Sequence, residues 1–137
     1  MTTIVERTYA VEGSPEVGWE LIADPGLRAR AISVVERFEE RDDETIWHLT
    51  IPVRAIPGTI TVRTRDIERN PPTYVRFRGE SRTMTVEGEH ELTATEDGCT
   101  IRNRFEVQGK LPGVERYFER EFDTEIRNMM QTIIAEL

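Results

Sequence analysis

Gly109-Lys110-Leu111-Pro112-Gly113-Val114-Glu115-Arg116-Tyr117-Phe118-Glu119-Arg120-Glu121-Phe122 opens the stretch that decides the fold. After the Gly-x-x-Pro-Gly break, Val114, Tyr117, Phe118, Phe122, Ile126, Met129, Met130, Ile133, Ile134 and Leu137 recur at helical spacing. Glu115, Arg116, Glu119, Arg120, Asp123, Arg127 and Glu136 occupy the other side. This predicts one long amphipathic helix whose wide apolar side must cover something.

Upstream of that helix the period is two. Val34–Glu40, Thr45–Ile51, Thr59–Ile67, Thr73–Glu80, Thr83–Thr95 and Thr100–Gln108 read as strands. Arg41-Asp42-Asp43-Glu44, Pro57-Gly58, Asn70-Pro71-Pro72, Gly79-Glu80-Ser81-Arg82 and Glu96-Asp97-Gly98 separate them. Turns of that length pair neighbouring strands antiparallel, as a meander. Thr3–Val11 is a further strand. Ser14 caps and Pro15 opens a short helix with Val17, Trp19, Leu21 and Ile22 on its apolar side, ended by Asp24-Pro25-Gly26. A second short helix is expected over Leu27–Ile32. The order is therefore strand, two short helices, six strands and a long helix laid on the sheet, an α+β arrangement within one domain spanning residues 1–137.

Strand parity separates the two faces. Arg63 and Arg65, Arg76 and Arg78, Glu87, Glu89 and Glu91, and Arg102 and Arg104 form rows of like residues. With the strands paired in order, the glutamates lie between arginines on the wet face, each cross-strand pair contributing about 0.2–1 kcal/mol. The opposite parity faces the helix: Ile60, Val62 and Thr64; Val75 and Phe77; Met84, Val86, Gly88, His90 and Leu92; Cys99, Ile101, Asn103, Phe105 and Val107. Trp47, Leu49 and Ile51 form the apolar set of their strand, which puts His48 outside. Val34, Glu36 and Phe38 share the more apolar parity of theirs.

His90, Asn103 and Thr64 are the polar members of this inner face, joined by Glu36. Unpartnered burial costs about 1–3 kcal/mol per polar group, so they bond one another or meet water or a ligand. Two readings stay open for His90 and Asn103: a mutually satisfied core pair, or convergent polar groups in a cavity between a curved sheet and the long helix.

The chain of 137 residues has 26 acidic and 18 basic side chains, a formal charge of -8, and a single lysine, Lys110, among its basic residues. Either adaptation to high salt or a GC-rich genome accounts for an acidic surface that uses arginine in place of lysine. Phosphate binding needs clustered basic residues, and here arginines alternate with glutamates, so nucleic acid is not expected as a partner. No apolar run approaches the roughly 18 residues of a membrane span, and residues 1–7 do not read as a signal peptide. A cytoplasmic protein is expected. Cys99, alone, forms no internal disulfide and no multi-thiolate zinc site. No phosphate loop, Gly-x-Ser-x-Gly elbow or His-Glu-x-x-His motif is present, and no cofactor or metal is expected.

The element order, with Pro15–Trp19 and Asp24-Pro25, then Gly58-Thr59-Ile60-Thr61-Val62, Gly79, Gly88 and Gly98-Cys99-Thr100-Ile101 up to Gly109, resembles the SRPBCC superfamily. This is the START/Bet v 1-like, helix-grip group. The chain is most similar to its polyketide-cyclase/dehydrase and carbon-monoxide-dehydrogenase-subunit-G branches, with Ala31-Ile32-Ser33 where many subunit-G members carry an Ile-Pro-Gly-like segment. The resemblance covers nearly the whole chain. It implies a seven-stranded curved antiparallel sheet gripping the C-terminal helix around a deep cavity for a small hydrophobic molecule such as a lipid or polyketide.

On this reading the ligand is lined by Trp47, Leu49, Val62, Phe77, Met84, Val86, His90, Asn103, Phe105, Phe118, Phe122 and Met129. The expected role is binding or carriage by a monomer or homodimer, with the Ile51–Gly58 loop and the segment before the long helix as lids. The alternative is a cyclase/dehydratase-like enzyme in which His90 moves a proton and Asn103 orients a carbonyl, with Glu36 as a second acid or base. A second alternative is a protein-interaction module whose cavity is filled by its own side chains.

Overall fold

The computed structural model describes residues 2–24, 26, 28–29, 33–53 and 58–136. Its elements are β1 (Thr3–Val11), α1 (Pro15–Ala23), β2 (Val35–Arg41), β3 (Glu44–Leu49), β4 (Ile60–Asn70), β5 (Tyr74–Glu80), β6 (Met84–Thr95), β7 (Gly98–Gly109) and α2 (Val114–Glu136). The seven strands form one antiparallel sheet in the order β1-β7-β6-β5-β4-β3-β2. The expected meander is present, and the first strand closes it by pairing with the last, Tyr9 opposite Ile101. Of the second short helix, expected over Leu27–Ile32, only Arg28 and Ala29 are among the described residues, both helical; residues 27, 30–32 and 54–57 lie outside them.

Ser14 caps α1, its Oγ accepting from the Val17 amide at 3.3 Å, and Pro15 occupies the first turn. Gly18, Trp19 and Ile22 are buried, while Val17, expected on the apolar side, is exposed. Gly18 lets α1 lie close on the sheet, since a Cβ there would sit 3.1 Å from Leu92. Along α2 the buried residues Val114, Tyr117, Phe122, Ile126, Met129 and Ile133 keep the spacing of one helical stripe. The stripe packs on β1, β7 and α1.

The parity of β4 to β7 is as expected. Arg76 pairs with Glu89 and Arg78 with Glu87 on one flank of β6, Arg104 with Glu89 and Arg102 with Glu91 on the other. Arg102 lies 3.4 Å from Glu89 and 3.5 Å from Glu91, and Arg104 lies 3.6 Å from Glu89. His48 faces outward, its Nε2 3.1 Å from Glu39. Ile46, on the same outer parity as His48, is nevertheless buried, opposite Arg63 and Glu39. Arginine stems cover apolar surface while their heads stay wet, which is consistent with an isoleucine in that position.

Two core clusters fill the space under the helices. One joins Trp19, Ile22, Leu92, Cys99, Ile101, Met129 and Ile133; the other joins Trp47, Leu49, Val62, Met84, Val86, Val107, Val114 and Tyr117.

Candidate functional site

His90 and Asn103 are directly opposite on β6 and β7, both pointing inward, with 2% and 0% of their surfaces exposed. His90 Nδ1 lies 2.5 Å from Asn103 Oδ1. A carboxamide oxygen only accepts, so Nδ1 carries the proton and Nε2 keeps the ring's lone pair. Burial pushes the imidazole down to about 4; the Arg28 guanidinium adds to the depression and the Asn103 bond opposes it. His90 is therefore neutral at pH 7.

Behind this pair stands Tyr9 of β1. Its hydroxyl and the Asn103 Nδ2 are buried, and neither has a hydrogen-bond partner among the described residues. The two groups are close enough for the amide to oppose part of the rise that burial imposes on the phenol, which stands at about 12. Three polar side chains thus adjoin one another inside the apolar interior: Tyr9, Asn103 and His90.

Aromatic rings surround the pair. Phe77 stacks on His90 at 6.0 Å, Phe105 meets it edge-on at 5.9 Å, and Phe122 of α2 meets Phe105 at 5.2 Å. Gly88 makes this possible, because a Cβ there would stand 2.3 Å from the Phe77 ring.

Two hollows flank this aromatic wall. On the α2 side an almost wholly apolar pocket of about 100 Å³ is lined by Val34, Phe105, Tyr117, Phe118, Phe122, Ile126 and Met129, with Glu121 and Glu125 beside them. On the α1 side a pocket of about 30 Å³ lies among Trp19, Ile22, Val75, Phe77, His90 and Arg28. Both are smaller than the deep cavity the resemblance implies. The difference is side-chain volume: Trp47, Leu49, Val62, Met84 and Val86, expected as cavity lining, pack against one another and against α2 as core.

Of the expected ligand residues, Phe105, Phe118, Phe122 and Met129 share the larger pocket, whereas Phe77 and His90 line the smaller one. Asn103 holds His90 and lines neither. Thr64 is satisfied, accepting from Trp47 Nε1 at 2.9 Å. Glu36 is exposed and receives a hydrogen bond from Thr59 at 3.2 Å, away from the pair. A bulge between Val35 and Arg37 breaks the alternation of β2: Val35 opposes Leu49 and Arg37 opposes His48, leaving Glu36 as the extra residue. Phe38 beyond the bulge packs on Trp47 at 5.7 Å.

Arg28 and Tyr9 were not among the expected site residues. Tyr9 shares parity with Val11 and Val5, so the alternation of β1 carried a signal for it. Arg28 follows a Pro-Gly break in a short segment with no period to read.

Among the described residues no group of three or more His, Cys, Asp or Glu side chains is placed to hold a metal ion, and no helix is long and apolar enough to cross a membrane.

A curved antiparallel sheet of seven strands laid over one long C-terminal helix is the helix-grip fold. The family described as polyketide cyclase / dehydrase and lipid transport matches residues 2–133, and the chain belongs to it. Among solved structures, the Zhui aromatase/cyclase from a Streptomyces species superposes with a TM-score of 0.76 at 14% identity, covering 99% of this chain and 93% of that one. A START superfamily protein from Mycobacterium smegmatis gives 0.75 at 10% identity, covering 97% and 95%. A conserved protein from Geobacillus kaustophilus gives 0.71 at 22% identity, covering 98% and 92%. At these identities the likeness establishes the fold. No curated protein matches the sequence.

Proposed function

We propose that the protein binds and carries a small hydrophobic molecule, seated between α2 and the sheet. The observation that supports this most directly is the almost wholly apolar pocket bounded by Phe105, Phe118, Phe122 and Met129. An apolar hollow of ~150 Å³ takes a benzene ring, so one of about 100 Å³ takes a narrower group unless a neighbour yields. Phe118 and Val34 are half-buried and are the side chains best able to yield. The family's lipid-transport members agree with carriage.

A second reading, acid–base catalysis of the cyclase/dehydratase type, draws on the His90–Asn103 pair. A neutral imidazole whose Nε2 keeps its lone pair, held in one tautomer by an amide, is suited to accept a proton. His90 is sealed behind Phe77 and Phe105, however, so a substrate in the larger pocket meets aromatic carbon first. Carriage is the better-supported function.

Native mass spectrometry of the protein purified from its own source tests it. The expected result is a chain carrying one apolar molecule, or a delipidated chain that takes up one equivalent of a medium-chain alcohol. A chain that stays bare in both trials contradicts the proposal.

A further inference from the structure

Arg28 is the basic side chain the fold uses least conventionally. Its Nε is buried with no hydrogen-bond partner among the described residues, and its guanidinium lies over the Trp47 ring at 5.3 Å. On the sheet's outer face Arg76, Arg78, Arg102 and Arg104 pair with carboxylates at 3.1 to 3.9 Å, but among the described residues no carboxylate lies within ion-pairing distance of Arg28. Asp66, Asp24 and Glu40 act on it only through longer-range attraction, and Asp66, which lines the same pocket, is bonded to Arg69 at 3.2 Å. A buried guanidinium N–H without an acceptor is costly to leave so, and the fork of donors it belongs to matches a carboxylate in two parallel bonds.

The space beside it has the size of such a group. The pocket bounded by Arg28, His90, Phe77 and Trp19 measures about 30 Å³. A buried oxygen the size of water needs at least roughly 10–15 Å³ on this scale, so there is room for two. A hollow of about 300 Å³ adjoins it, sharing Ala23, Arg28, Phe77 and the bonded pair Asp66 and Arg69, and is lined further out by Thr45 and Thr64. Its rim carries Glu40, Asp42, Asp43 and Glu44, but repulsion between exposed charges is screened over about 8 Å at physiological salt, whereas the Arg28 Nε is buried.

The geometry points to a binding site for a small organic acid, its carboxylate on Arg28 and its hydrocarbon running out along Phe77 and Ala23. The site is separate from the α2 pocket, shares no lining residue with it, and stands whether or not that pocket carries a ligand. Trp19 lines it and Trp47 lies under Arg28, and these are the protein's two tryptophans, so occupancy alters the fluorescence of both.

The test compares hexanoate with 1-hexanol, equal tails with and without the charge, by tryptophan fluorescence and thermal melting. Hexanoate is expected to change the fluorescence saturably and to raise the melting temperature. It should bind roughly tenfold or more tightly than hexanol, and Arg28→Gln should erase that preference. Equal affinity for acid and alcohol in the unaltered protein overturns the inference without need of any variant. So does an Arg28→Gln protein that still prefers the acid. Arg28→Lys, which keeps the charge and loses the fork, is expected to fall between the two.

Discussion

Across the centre of the sheet, His90 of β6 and Asn103 of β7 face each other as a registered pair, joined by one short hydrogen bond and closed off from water. The pair lies between the two core clusters and between the two hollows, so its chemistry can be probed apart from either.

Its first consequence is a pH dependence. The unfolded histidine titrates near 6.5 and the folded one near 4. Between those values the unfolded chain binds a proton the folded chain refuses, so stability falls as pH drops from about 6.5 to 4. The loss is roughly 3 kcal/mol if the whole shift is realised. Urea unfolding at pH 7 and pH 4.5 should show His90→Gln losing less stability over that interval than the unaltered protein. Equal losses would mean that His90 is not held neutral.

Asn103 supplies the second. Asn103→Leu removes the acceptor and leaves the His90 Nδ1 proton unsatisfied, a cost of about 1–3 kcal/mol in chemical denaturation. Asn103→Asp instead places a carboxylate beside the ring and should move its titration upward, readable from imidazole NMR shifts. An unchanged titration would place the pair's coupling elsewhere.

Gly88 carries a prediction about packing. Gly88→Ala sets a methyl group into the Phe77 ring and close to Phe105, so one or both rings must shift. A destabilisation of about 1–3 kcal/mol is expected, with altered aromatic side-chain NMR resonances at Phe77. A neutral substitution would show that this wall yields freely.

Phe122 and Phe118 separate support from access. Phe122→Ala should cost about 3–5 kcal/mol, because the ring is buried against Phe105. Phe118 is half-buried at the pocket, so Phe118→Ala should cost about 1–2 kcal/mol and widen the opening. Thermal or urea melts of the two variants check the order; a larger cost at Phe118 would contradict it.

Much of this was legible in the residues. The rows Glu87, Glu89, Glu91 and Met84, Val86, His90, Leu92 alternate without interruption, so parity alone placed His90 opposite the outer glutamates and beside Asn103. The stripe from Val114 to Ile133 gave α2 its packed side in the same way. Glu36 was misplaced because one extra residue in β2 reverses the alternation, and no glycine marks that bulge. Cavity size was not legible either. Alternation tells which side chains face inward, but whether Trp47, Met84 and Val86 leave a hollow or fill it depends on rotamers and on how far the sheet curves. Arg28 escaped notice because its partners, Trp47, Phe77 and His90, come from three strands distant in sequence.

An apolar molecule bound between α2 and the sheet is expected to enter beside Phe118. Titration with the neutral dye N-phenyl-1-naphthylamine tests it most directly, comparing the unaltered protein with Phe118→Glu, which sets a charge at the pocket without emptying the core. A saturable rise in fluorescence at one dye per chain is expected, weakened roughly tenfold or more by Phe118→Glu beyond any weakening in Phe118→Ala, which loses the same ring without adding a charge. No saturable rise, or equal binding by Phe118→Glu and Phe118→Ala, would contradict it.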